Sequence, residues 1–155
     1  HPISESHNIN LTVAPKKRRG ALHARVKLTI GGRARSLAVF NVHLGLAGFE
    51  RKIQLRRLLA NTTFRSLRAA TPCVLGGDFN DVWSNLGTGL LENAGLRRVG
   101  GPVHTYPAFL PARPLDALYI GGEIETVRIA SSRLELSRQA SDHLPLIADL
   151  QLPGE

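Results

Sequence analysis

Cys73-Val74-Leu75-Gly76-Gly77-Asp78-Phe79-Asn80 is the stretch that decides how this chain is read. Three apolar residues read as a short buried strand, and Pro72 stops any helix that runs toward them. The two glycines end the strand and let the backbone pass close to a neighbour. An acid and an amide then project from the strand's C-terminal end, where α/β sheets gather their ligand sites. Cys73 reads as a small core hydrophobe. Asp78 also suits an Asx turn and Asn80 suits holding that turn, so the segment by itself leaves structure and chemistry both open.

Upstream, Ile9–Val13 is a short β-like stretch. Ala21–Ile30 alternates, with Leu22, Ala24, Val26, Leu28 and Ile30 on one face and His23, Arg25, Lys27 and Thr29 on the other. That period of two predicts a half-buried strand. Gly31-Gly32 signals a hairpin, and Ser36–His43 is a more apolar, central strand. From Phe49 to about Leu67 the apolar spacing turns helical. Downstream, Ser84 caps a predicted helix through Ala94, with Gly95 at its C′ position. Arg98–Pro114 reads as a long ordered loop, a kind that tends to be functional in compact domains. Leu115–Ile120, Glu123–Ala130 and Leu144–Leu150 read as strands. The expectation is an α/β sheet protein with helices on the sheet.

Composition narrows the class. The 155 residues are one domain's worth and enough to bury a core. A single cysteine excludes an internal disulfide framework, so nothing calls for an oxidising compartment, and the expected location is cytoplasmic. No apolar run approaches the roughly 20 residues needed to span a bilayer. The formal charge of +8 favours polyanionic partners: nucleic acid, anionic lipid or phosphorylated substrates. Sixteen of the 20 basic residues are arginines scattered along the chain, and the one dense run, Lys16-Lys17-Arg18-Arg19, equally suits a solvated loop.

Polar groups at strand ends form the chemical inventory. His43 ends one strand, Asp78 and Asn80 end another, Asp142 and His143 precede a third, and Asp116 opens a fourth. Each has a plain structural reading as a turn, cap or surface residue. Asp116 fits that reading least well, because an unpaired carboxylate among apolar neighbours is costly. A histidine is its natural partner, since a carboxylate fixes the ring tautomer, but six histidines leave the pairing open. Together these residues match what phosphodiester hydrolysis needs: a metal on the phosphoryl oxygens, an activated water and donors for developing charge. Hard oxygen ligands suit Mg²⁺.

In order, the chain carries Asn41-Val42-His43-Leu44, then Arg51 and Gln54, then Gly76-Gly77-Asp78-Phe79-Asn80. Thr105-Tyr106-Pro107, Leu115-Asp116 and Ser141-Asp142-His143-Leu144-Pro145 follow. Over nearly its whole length this resembles the endonuclease/exonuclease/phosphatase superfamily, which includes deoxyribonuclease I, AP endonucleases, neutral sphingomyelinases and inositol polyphosphate phosphatases. The resemblance implies a deoxyribonuclease I-like β-sandwich flanked by helices. It implies a Mg²⁺-dependent phosphoester hydrolase, with Mn²⁺ as a substitute, acting on nucleic acid or on a lipid or inositol phosphate by in-line attack of water.

By position, Asp78 would orient the attacking water close to metal and Asn80 would bond the scissile phosphate. His143, oriented by Asp116, would act as base or donor, and His43 would stabilise the phosphoryl oxygens or serve as acid. Asp142 would join Asp78 at the metal, and Asn41 and Thr105 would line the substrate side. AP endonucleases carry a Tyr and a Pro-Asn pair in the tract where this chain has His43, which argues against that branch.

The family's N-terminal half, with an early Asn and a Gln-Glu pair supplying a principal metal ligand, has no counterpart here. Residues 1–155 are therefore expected to be one partial domain, the C-terminal portion. Alone it would be weakly active or inactive, with an open sheet face seeking the missing half or a second copy. The alternative is a non-catalytic binding or assembly module on the same fold, holding nucleic acid or anionic lipid.

Overall fold

Alternation along one strand sets the layering. In β3 (Arg33–His43), Ala38, Phe40 and Val42 are buried on one face, while Asn41 and His43 on the other are exposed. The computed structural model describes residues 1–152. Six strands form the main sheet: β1 (Ile3–Asn10), β2 (Gly20–Ile30), β3, β4 (Cys73–Asp78), β5 (Arg97–Arg98) and β6 (Asp116–Gly121). Their order is β1-β2-β3-β4-β6-β5, with β3 and β4 parallel and the other pairs antiparallel. β7 (Glu125–Ser131) and β8 (Leu146–Gln151) form a second, antiparallel sheet.

α1 (Gly48–Ala60) and α2 (Thr62–Arg65) make the crossover between the parallel strands. Leu55 and Leu58 of α1, both fully buried, join Phe40, Val42, Cys73 and Leu75 in one core cluster. Truncating either leucine to Ala would cost about 2–5 kcal/mol. On the opposite face, Val74 and Ile120 join Ile129, Ala148 and Leu150 of the second sheet in another cluster. β4 is thus covered on both sides, which is why it reads as an unbroken apolar run. Burial pushes the Cys73 thiol up to about 12, as suits a packing residue.

Several expectations shift. The first strand runs over Ile3–Asn10 rather than Ile9–Val13. In β2 the buried residues near its start are Ala21 and His23, whereas Leu22 is 46% exposed, because the helices cover the His23 side there; farther along, Leu28 of the expected apolar face is buried. The long helix breaks at Asn61, whose side chain accepts the Thr63 amide and caps α2. The helix expected from Ser84 does not form: Ser84 sits at φ 53, a left-handed conformation. Instead Asp81, buried, accepts the Leu86 amide at 2.6 Å in a string of turns ending in a 3-10 turn over Glu92–Ala94. Gly95 closes that turn at φ 80, as its position predicts. A short helix absent from the expectation, α3 (Glu135–Ala140), precedes β8. No helix among the described residues is long and apolar enough to cross a membrane.

Candidate active site

Register assembles the site. His43 pairs with Asp78 across the parallel β3–β4 ladder, and Asp78 pairs with Asp116 across the antiparallel β4–β6 ladder. Side chains at paired positions share a sheet face, so His43, Asp78 and Asp116 form one row across three strands. The ladder can run this close only because Gly77 lacks a side chain. Its φ is +132, and a Cβ there would lie 2.1 Å from the Val42 carbonyl oxygen.

Asp78 is held from several sides. Its Oδ1 accepts the Asn80 amide at 2.8 Å, forming the Asx turn. Its Oδ2 lies 3.3 Å from Asn80 Nδ2 and 3.5 Å from His43 Nε2. Asn80 Nδ2 also donates to the Leu44 carbonyl at 2.9 Å, so both amide protons serve to hold Asp78 and tie the ends of β3 and β4 together. Asn80 manages this at φ 50. The expected phosphate donor is therefore committed within the protein.

Burial pushes the Asp78 carboxyl above its ordinary range. The Asn80 amide offsets part of this, Asp116 adds to it, and the two histidines pull against it.

Asp116 and His143 form the second unit. Asp116 Oδ2 is 2.7 Å from His143 Nδ1 and accepts the Thr105 hydroxyl at 2.5 Å. This settles the pairing that the sequence left open. Thr105, expected on the substrate side, is fully buried behind Asp116, and its hydroxyl is spent positioning the carboxylate. The Tyr106 ring lies against His143 with centroids 4.9 Å apart. Leu144 N bonds Thr105 O at 2.8 Å and the Ala108 amide bonds Asp142 O at 2.7 Å, so the Thr-Tyr-Pro loop clamps the His143 segment. Burial pulls the imidazole down, but the hydrogen bond and charge of Asp116, with Asp78 and Asp142, outweigh it, and His143 keeps its proton above the usual range.

Two buried residues that the sequence did not assign a role pin the loop after His43. Gln54 accepts the Gly45 amide at 2.8 Å and donates to Glu50 at 3.1 Å. A Cβ on Gly45 would lie 2.1 Å from the Glu50 carboxyl carbon. The i, i+4 spacing of Glu50 and Gln54 on α1 was the available signal.

Beside the row opens a cavity of about 520 Å³, lined among others by Asn41, Gly76, Asp116, Ser141 and His143. Asn41 is exposed in its wall, next along β3 from His43 on the same face.

For a divalent ion the donor set is sparse. Asp78 offers carboxylate oxygens and Asp142 is exposed on the His143 side. Among the described residues, three clustered His, Cys, Asp or Glu ligands occur only at Glu5, His7 and His23, on β1 and β2. One or two carboxylates completed by water and phosphate is the habit of Mg²⁺, and Asp78 is the carboxylate of the row that lies nearest that description.

Residues 4–143 match the family model described as Endonuclease/Exonuclease/phosphatase family. The chain belongs to this family. It is 31% identical to the uncharacterized protein YbhP of Escherichia coli K12 over 98% of this chain and 60% of the relative. The chain thus spans about three-fifths of that protein's length. Among solved structures, an endonuclease/exonuclease/phosphatase from Beutenbergia cavernae superposes with TM-score 0.77 at 24% identity, covering 99% of this chain and 46% of that one. A mannosyl-6-phosphatase from Bacteroides thetaiotaomicron superposes with TM-score 0.75 at 15% identity, covering 97% and 67%. These likenesses make the α/β architecture the deoxyribonuclease I-like fold. Members of the family are in general hydrolases of phosphoesters.

Proposed function

We propose that this chain carries the water-activating and phosphate-binding side of a divalent-metal-dependent phosphoester hydrolase. The observation that supports it is the row His43–Asp78–Asp116, backed by His143, with Asp116 and His143 in the wall of the cavity. Asp78 and Asp142 would hold Mg²⁺ or Mn²⁺, which when bound supplies charge to the phosphoryl oxygens. Asp78 orients the attacking water through its carboxylate, held rigid by Asn80. His143 donates its Nδ1 proton to Asp116, and its Nε2 exchanges a proton with the water or the phosphate. His43, more exposed, protonates the leaving oxygen or bonds a phosphoryl oxygen. Asn41 lines the substrate wall, while Thr105 holds Asp116.

The test is hydrolysis of bis-p-nitrophenyl phosphate and of plasmid DNA by the full-length protein, with and without EDTA. Activity should disappear with EDTA and return with Mg²⁺. Activity untouched by Asp78→Asn or His143→Ala would sink the proposal. The +8 charge favours a second reading, a module that binds nucleic acid or anionic lipid without turnover. It requires salt-sensitive binding with no hydrolysis in the same assay.

A further inference from the structure

On the helix-covered face of the sheet, away from the His43 row, three ligand-bearing side chains converge. His7 of β1 and His23 of β2 are cross-strand partners with ring centroids 4.9 Å apart. Glu5 stands two residues before His7 on the same strand face, its Oε1 3.7 Å from His7 Nδ1. One ligand atom from each of the three lies within 4.8 Å of the others.

His23 is the telling member. It is 0% exposed, and neither ring nitrogen has a hydrogen-bond partner among the described residues. An imidazole always carries at least one N–H, and each orphaned buried polar atom is costly. Phe40 covers the ring at a centroid distance of 4.8 Å but satisfies neither nitrogen. His7 is the opposite case. Its Nε2 is 3.0 Å from Thr63 Oγ1, leaving Nδ1 on the side of Glu5. Anchoring one ring nitrogen so that the other is presented is how metal-binding imidazoles are oriented.

We propose that Glu5, His7 and His23 form a second metal site, taking a divalent transition ion such as Zn²⁺ through two imidazoles and one carboxylate. Imidazole donors select Zn²⁺ and its transition-metal neighbours over Mg²⁺. Coordination at about 2.0–2.2 Å requires the ligand atoms to draw together. Glu5 is half-exposed and long enough to close that gap. Arg25 Nε lies 3.4 Å from Glu5 Oε2. It leaves Oε1 to the ion, and its charge holds the affinity below that of an all-neutral surround. The ion would clasp β1, an edge strand, to β2, with Thr63 of α2 as backing.

The experiment uses the full-length protein, stripped with chelator and dialysed, in an Asp78→Asn background that removes the carboxylate expected to bind metal at the other site. Zn²⁺ alone is titrated calorimetrically, and the His7 and His23 ring ¹H–¹⁵N resonances are followed with Zn²⁺ and with Mg²⁺. One Zn²⁺ per chain should bind and shift both rings, and Mg²⁺ should shift neither. Glu5→Gln and His7→Ala alter residues that are at least partly exposed, so these variants fold, and each should weaken Zn²⁺ by about tenfold or more. His23→Phe should abolish Zn²⁺ binding, with circular dichroism showing that the variant is folded. Absence of Zn²⁺ binding, or binding unchanged in both Glu5→Gln and His7→Ala, overturns the proposal.

Discussion

Asp116→Asn isolates what the Asp116–His143 pair contributes. The two side chains are nearly the same shape, and Thr105 and His143 can still both find partners on the amide. Folding stability should therefore stay within about 2 kcal/mol, about 1 for each of the two hydrogen bonds that lose their charge. Catalysis should not. In the native arrangement Asp116 Oδ2 accepts from His143 Nδ1 at 2.7 Å, which leaves Nε2 as the basic nitrogen. An Asn either keeps that tautomer without its charge or presents its own N–H to Nδ1 and puts the ring proton on Nε2.

A positioned acid or base is worth about 10²–10⁴ in rate. A loss near 10³ in kcat corresponds to about 4 kcal/mol of transition-state stabilisation, at 1.36 kcal/mol per tenfold. The pH profile gives an independent readout. Asp116 is what lifts His143 against the downward pull of burial, so its neutralisation should move the His143 limb to lower pH. Steady-state kinetics across about pH 5–9 with a parallel thermal melt check both. Loss of rate by less than about threefold, together with an unshifted limb, would refute the pairing's role.

Other perturbations separate positioning from packing. Thr105→Val removes a buried hydroxyl donor to a charged acceptor and should cost about 1.5–3 kcal/mol in a denaturant melt, with a smaller fall in kcat than Asp116→Asn. Gly77→Ala drives a Cβ to 2.1 Å from the Val42 carbonyl oxygen at positive φ, and should destabilise by more than about 3 kcal/mol or prevent folding, as circular dichroism will report. His143 holds a raised pKa in the fold. Its contribution to stability is thus fully present below about pH 6.5, the ordinary imidazole value, and is lost as pH rises through the folded value. The stability gap between the native chain and His143→Gln should accordingly narrow from pH 5 toward pH 9, roughly. Trp83 is 81% exposed on the turn after Asn80. Trp83→Ala should leave the melt within about 0.5 kcal/mol, as befits so exposed a side chain, and a larger loss would show that the ring is covered in solution.

Site and fold were legible to different degrees, for one physical reason. Strand-end chemistry is local: Asp78 and Asn80 make their Asx turn within three residues, and the apolar run before them marks β4 directly. Pairing between strands is not local. That Asp116 takes His143 rather than another histidine depends on the antiparallel register of β6 against β4 and on the clamp from the Thr105 loop. Neither leaves a periodic trace in the sequence.

The same applies to β2. Its alternation is clear, yet which face is buried depends on where the helices dock. Burial changes face along the strand: Leu22 lies open near its start, where His23 goes into the core between His7 and Phe40, while Leu28 of the same apolar face is buried farther on. Ser84 failed as a helix start because Asp81 captured the Leu86 amide first, a side-chain contact that competes with helix formation at short range. His23 shows how far this non-locality reaches. On the sequence it is the polar half of an alternating strand. In the fold its two unsatisfied nitrogens beside His7 and Glu5 make it the strongest sign of a ligand outside the catalytic row.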